Sequence, residues 1–151
     1  MQRTLVLIKP DAVQRSLIGK ITTRLEQRGY KLIALKALMV SEEKAAVHYA
    51  DLQEKPFYEE LIRFMISSPV IAMVWEGHNA ILSIRKTMGS TRPDEAEPGS
   101  IRHDYASNVA GNLTHASDSV ENAEEEIPHW FSDDELMVWD RSIENWVTED
   151  N

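Results

Sequence analysis

A histidine closes the short strand-like run Asn112-Leu113-Thr114-His115, and Ala116-Ser117-Asp118 leads directly from it into a helix start. Asp118 can cap that helix, Glu121 follows three residues later, and the apolar period runs to Ile127 before Pro128 is expected to stop it. His115 is thereby expected beside a helix N-terminus, whose unpaired N–H groups and partial positive charge suit phosphate or another anion. Imidazole titrates near neutral pH and keeps one nitrogen free when the other is tied down. The chemistry offered is acceptance of a phosphoryl group by a histidine nucleophile.

The preceding elements must carry the chain to that histidine. Residues 4–8 form a continuous apolar run of β-formers, which predicts a buried strand ending at Lys9-Pro10. Ile18, Ile21 and Leu25 recur at helical spacing up to Gly29. Residues 32–40 predict a second strand, and Ser41 opens a short helix to about Tyr49. Phe57, Leu61, Ile62 and Met65 mark another helix, residues 70–75 a third strand, and residues 79–88 a helix carrying Arg85 near its end. Alternation of this kind predicts a sheet covered by helices, without deciding between parallel and antiparallel pairing. Residues 89–111 then turn to Gly, Pro, Ser, Asp and Glu with no sustained period, a long loop of the sort usually kept for function.

Composition narrows the function classes. The chain has 151 residues, enough for one domain with its own core. It has no cysteine, which excludes disulfides, iron–sulfur clusters and thiol catalysis. The opening apolar run is too short for a signal peptide or a membrane helix, so a soluble, cytoplasmic protein with no membrane partner is expected. The net charge of −9 is uneven: residues 118–151 hold 12 acidic side chains against Arg141 alone, while residues 1–117 hold 15 basic and 13 acidic ones. The body thus keeps cations for a phosphate pocket, and the acidic tail reads as a solvated surface that disfavours nucleic-acid binding. Gly19-Lys20 does not make a P-loop, because Gln14 stands at the first glycine and Ile21 where Ser or Thr must meet magnesium.

The motif Asn112-x-x-His115-Ala116-Ser117-Asp118 resembles the active-site signature of the nucleoside diphosphate kinases. The resemblance extends in order through Ile8-Lys9-Pro10-Asp11, His48-Tyr49, Lys55-Pro56-Phe57-Tyr58, Ser68-Pro69-Val70, Trp75-Glu76-Gly77, Gly89-x-Thr91-x-Pro93, Pro98-Gly99-Ser100-Ile101-Arg102 and Ser117-Asp118-Ser119-Val120-Glu121, covering residues 3–131. It implies a ferredoxin-like α/β sandwich with a four-stranded antiparallel sheet, as one domain over residues 1–151 with an acidic extension at 133–151. It implies transfer of the γ-phosphate of ATP or another nucleoside triphosphate to a nucleoside diphosphate, ping-pong, through a phosphohistidine.

Carried over by residue, the resemblance makes His115 the nucleophile, Glu126 the carboxylate that orients its ring, and Ser117 the support of that carboxylate. It assigns Arg85, Arg102 and Thr91 to the nucleotide phosphates, Lys9 and Asn112 to the sugar, and Lys9 with Tyr49 to the transferring phosphate. Phe57 stacks on the base opposite Val109. Mg²⁺ arrives with the nucleotide, touched through water by Asp118. By pattern alone Glu126 is one of three adjacent surface acids, Lys9 a strand end and Phe57 equally a core residue of its helix; the motifs favour the functional readings. His48, His78, His103 and His129 lack ligand spacing and read as structural or surface residues. Ala116 replaces the more usual glycine, and His103 and Ala106-Ser107-Asn108 are unusual in the loop. The resemblance also implies a homo-oligomer, a hexamer or alternatively a tetramer, with Trp139 and Trp146 expected on a neighbouring subunit. A nucleotide sensor that has lost transfer, and a nucleic-acid module on the same sandwich, are the competing readings; the full set of catalytic residues disfavours the first, the charge the second.

Overall fold

Two apolar layers sandwich a four-stranded sheet in the computed structural model, which describes residues 1–148. In chain order the elements are β1 (Gln2–Ile8), α1 (Pro10–Gln14), α2 (Ile18–Gln27), β2 (Lys31–Leu38), α3 (Glu42–His48), α4 (Tyr58–Met65), β3 (Val70–Gly77), α5 (Ala80–Met88), α6 (Ile101–Tyr105), β4 (Thr114–Ala116), α7 (Val120–Trp130) and α8 (Glu144–Val147). Single 3₁₀ turns lie at Ala50–Leu52, Pro93–Glu95 and Asp133–Glu135. The sheet order is β2-β3-β1-β4, and every pairing is antiparallel. This is the α/β sandwich that the resemblance implied.

Strand side chains alternate between faces. Val6 and Ile8 of β1, with Ile71, Met73 and Trp75 of β3, enter one layer beneath α2 and α5. Leu5 and Leu7, with Val70, Ala72 and Val74, enter the other beneath α3, α4 and α7. Because both faces are covered, β1 and β3 read as unbroken apolar runs, and each fully buried Leu, Ile or Val contributes roughly 1.5–3 kcal/mol. In β4 the register pairs Ala116 with Val6 and His115 with Leu7. Directly paired residues share a face, so His115 points toward α3 and α7.

Several expectations are corrected in detail. Ser119, not Asp118, caps α7, its hydroxyl accepting from Asn122 N–H at 3.0 Å. Pro128 lies inside α7 rather than ending it. A proline there forfeits the bond to the carbonyl one turn back, and burial of Ile127, Trp130 and Phe131 holds the last turn. His115 is the middle residue of β4, not its end. The segment 89–111 is not structureless, since it contains the Pro93–Glu95 turn and α6, which Ser100 caps by accepting from His103 N–H at 3.3 Å. Gly89 starts that segment at φ +88°, and a Cβ on it would stand 2.7 Å from Ser100 Cβ, so only glycine lets the start of the segment pack against the cap of α6.

The C-terminal extension lies along β2 of its own chain: Met137 N–H donates to Ile33 O at 2.9 Å and the Trp139 indole to Leu32 O at 3.0 Å. The Trp139 ring covers the Lys31 amine of its own chain and stays 41% exposed. Trp146 is 87% exposed. Residues 149–151 lie outside the described residues.

Candidate active site

The carboxylate of Glu126 reaches the His115 ring from α7. Its Oε2 lies 3.2 Å from His115 Nε2, and its Oε1 accepts from Ser117 Oγ at 2.6 Å. Eleven residues separate Glu126 from His115, and α7 folds back across the sheet to close that gap. Burial works against the charge of Glu126, but the His115 and Ser117 hydrogen bonds outweigh it and hold the carboxyl below its ordinary range. Ser117 is fully buried, and its hydroxyl also accepts the Leu5 N–H at 3.1 Å. Carboxylate, serine and β1 thus form one chain of bonds that fixes the imidazole. Among the described residues His115 Nδ1 has no hydrogen-bond partner.

The backbone enters β4 under strain. Leu113 is fully buried with φ +74°, a conformation costing on the order of 1–3 kcal/mol for a bulky residue. Thr114 N–H donates to Asn112 O at 2.9 Å across it, a three-residue turn. The turn is held from both sides: Leu113 N–H donates to Asp11 Oδ2 at 3.1 Å and its carbonyl accepts from Lys9 N–H at 2.8 Å. Pro10, at the first position of α1, aims Asp11 at this point.

Three cations gather on residues 112–116. Lys9 Nζ donates to Asn112 Oδ1 at 2.9 Å, and Arg85 Nη1 to Ala116 O at 3.0 Å. The Arg102 guanidinium donates to Asn112 O, Gly89 O and Thr114 O at 3.1, 2.9 and 2.7 Å. Among the described residues none of the three is in an ion pair. Burial and then Arg102 push the Lys9 amine down to about 8, Asp11 opposing them, and burial and then Arg85 push Arg102 down to about 10. Such crowding of like charges is costly by itself and favours an anion.

Asn112 links this group outward, its Nδ2 donating to Thr91 O at 3.2 Å and leaving the Thr91 side chain exposed. A cleft of about 510 Å³ opens beside His115 between α3 and α7, lined among others by Tyr49, Asp118 and Glu126. The Tyr49 hydroxyl is buried without a partner, and burial and then Glu126 raise its pKa well above the usual range, so it keeps its proton to donate. Asp118 is exposed on the cleft, one carboxylate oxygen taken by Asn122. Phe57 and Val109 are 48% and 47% exposed, so Phe57 is not a core residue of α4.

Sequence reasoning passed over Asp11, Leu113, Trp130 and the environment of His48. Asp11 stood in a quoted motif, and that was its only signal; the strain at Leu113 has no local signature. The His48 ring lies 4.6 Å from the His115 ring at 81°, and its Nδ1 accepts from the Trp130 indole at 3.2 Å.

An imidazole oriented by a carboxylate, beside three cations that form no ion pair among the described residues, on an antiparallel α/β sandwich, defines a phosphotransferase. The family model described as nucleoside diphosphate kinase matches residues 2–136, and the chain belongs to the nucleoside diphosphate kinase family. The nucleoside diphosphate kinase of Symbiobacterium thermophilum is 54% identical over 97% of each chain. That of Archaeoglobus fulgidus is 48% identical over 99% of each. The halophilic nucleoside diphosphate kinase of Halobacterium salinarum, solved in complex with CDP, has a TM-score of 0.95 and 47% identity, covering 98% of this chain and 99% of that one.

Proposed function

We propose that the protein moves the γ-phosphate of a nucleoside triphosphate to a nucleoside diphosphate through a phosphohistidine at His115. The observation that carries this is the commitment of Nε2 to Glu126, which leaves Nδ1 as the nitrogen with a free lone pair. That lone pair forms the N–P bond as the bond from the γ-phosphorus to the β,γ-bridging oxygen breaks, and the diphosphate leaves with those electrons. A second diphosphate reverses the step on the same ring. Glu126 stabilises the proton on Nε2 as positive charge develops, and Ser117 holds Glu126 in place.

Arg85, Arg102 and Thr91 take the nucleotide phosphates: three of the five Arg102 donors are spent on carbonyls, and two remain. Lys9 and Asn112 hold the sugar hydroxyls, and Lys9 with Tyr49 meets the transferring phosphate, which supplies the partner the Tyr49 hydroxyl lacks. Phe57 stacks on the base with Val109 opposite, and stacking tolerates every base. The donor set fits Mg²⁺ carried by the nucleotide: a hard cation with retained waters needs one or two carboxylates, and Asp118 offers an exposed one on the cleft. When bound, the ion neutralises charge on the phosphate oxygens.

Residues 1–151 are read as one domain with its extension, in the cytoplasm; no described helix is long and apolar enough to cross a membrane. Self-association, as a hexamer or alternatively a tetramer, is supported by exposed Leu35 and Met39 on and beside edge strand β2 and by Trp146. Sedimentation at micromolar concentration tests it, and a monomer would refute it.

The transfer is tested with γ-labelled ATP and Mg²⁺. Label on the protein should be acid-labile, base-stable, discharged by GDP or CDP, and absent from His115→Ala. Binding without labelling would identify a nucleotide sensor instead.

A further inference from the structure

We infer that Trp130 and His48 form a tautomer lock that reserves the Glu126 carboxylate for His115, making His48 a positioning residue for the transfer. The inference rests on His115 being the nucleophile. An indole N–H can only donate, so the 3.2 Å contact makes His48 Nδ1 an acceptor and leaves the proton of the neutral ring on Nε2. A second proton would have to displace the indole, which is 1% exposed and fixed between the Lys44 amine at 5.1 Å and the perpendicular His48 and His129 rings.

His48, His115 and Glu126 present polar atoms within 4.8 Å of one another. Such a trio has two other uses, and the lock closes both. It is not a metal site, because one His48 nitrogen is occupied by the indole and the other carries a proton. It is not a histidine–carboxylate ion pair either. A cationic His48 would compete with His115 for Glu126 and free the nucleophile to turn.

The groups facing His48 agree. His115 from β4, Lys9 beyond β1 and His129 from α7 oppose a positive charge there, Glu126 favours it, Asp51, Asp118 and Glu125 line the same cleft, and Tyr49 stacks on the ring edge-on at 4.7 Å. Burial, then His115, push His48 down to about 3, so the ring is neutral wherever the enzyme works.

Trp130→Phe keeps a ring in the core but removes the donor, freeing His48 Nδ1 to take a proton. The experiment is single-turnover phosphorylation by ATP from pH 8.5 to 5.5. Phe is also smaller than indole and leaves room for water beside Nδ1, relieving the burial that holds His48 down, so the Trp130→Phe rate should fall roughly tenfold more than the native rate as pH drops from 8.5 to 5.5. The double variant Trp130→Phe/His48→Gln, which cannot titrate at this position, should lose that excess. A Trp130→Phe profile parallel to the native one within about twofold, or an excess that persists in the double variant, overturns the lock. Nitrogen NMR of the unsubstituted protein reads the lock with no substitution: His48 should be protonated at Nε2, bare at Nδ1 and unchanged down to pH 5.5. A proton on Nδ1 overturns the lock. Label found away from His115 would overturn the assignment of the nucleophile, while the NMR result would still report the tautomer.

Discussion

Ser117 donates its hydroxyl to Glu126 at 2.6 Å from a fully buried position, and the same oxygen accepts the Leu5 N–H. One atom therefore ties the carboxylate that orients His115 to the central strand β1. Ser117→Ala leaves the Leu5 N–H without its partner and lets the carboxylate swing. The expected loss is ~1–3 kcal/mol in urea unfolding, with phosphoenzyme formation slower by about tenfold or more. An unchanged urea midpoint would mean that the hydroxyl is not holding the strand.

Asp11 does for the strained turn what Ser117 does for the carboxylate. Its Oδ2 receives the N–H of Leu113, a buried residue at φ +74° that would otherwise relax. Asp11→Ala should cost ~1–3 kcal/mol, and Asp11→Asn, which retains an acceptor oxygen, less than half of that. Equal melting temperatures for the two variants would assign the effect to lost charge beside Lys9 instead.

Lys9 sets a pH window. Its folded pKa lies near 8, below the ordinary 10.5, so between those values the unfolded chain keeps a proton that the folded chain has released. Its contribution to stability therefore rises with pH across that window, and below about 8 the fold bears the cost of a buried cation, on the order of 3 kcal/mol. Lys9→Met should be more stable than the native chain to urea at pH 7, with the difference shrinking toward pH 10. Bound phosphate favours the charged amine, so ADP affinity should fall as pH rises through 8, with proton uptake visible by calorimetry in two buffers. A flat affinity from pH 7 to 9.5 would remove Lys9 from the phosphate site.

The strands were legible because β1 and β3 are buried on both faces and leave unbroken apolar runs, and the helices because Ile21 and Leu25, or Ile84 and Met88, recur at their period. The motif around His115 was legible because chemistry restricts residue type there more tightly than packing does. Pro128 misled, since local propensity argues for a stop and the burial of Trp130 is a tertiary effect. His48 looked like a surface histidine because its partners, His115 and Trp130, are 67 and 82 residues away in sequence. No spacing rule reaches that far. The positive φ of Leu113 is invisible for the same reason: nothing in its neighbours announces it, and Asp11, which holds it, belongs to α1, 102 residues earlier in the chain.

Arg102 is where loop and site meet. Its three bonds to the carbonyls of Gly89, Asn112 and Thr114 tie the start and the end of the 89–111 segment together, and its remaining donors are the ones proposed for phosphate. Lysine at this position keeps the charge but replaces a planar fork by a point donor that cannot reach three carbonyls at once. Arg102→Lys should therefore lose in two separable ways. Stability falls by ~1–3 kcal/mol because buried carbonyls go unpaired, and kcat/KM falls by about 100-fold because positioning and charge at the phosphates are both degraded. Saturating ADP would restore much of the stability but not the rate. Were the rate to recover fully at saturating nucleotide, the arginine would bind ground and transition states alike and would not act on the charge that develops in the transfer.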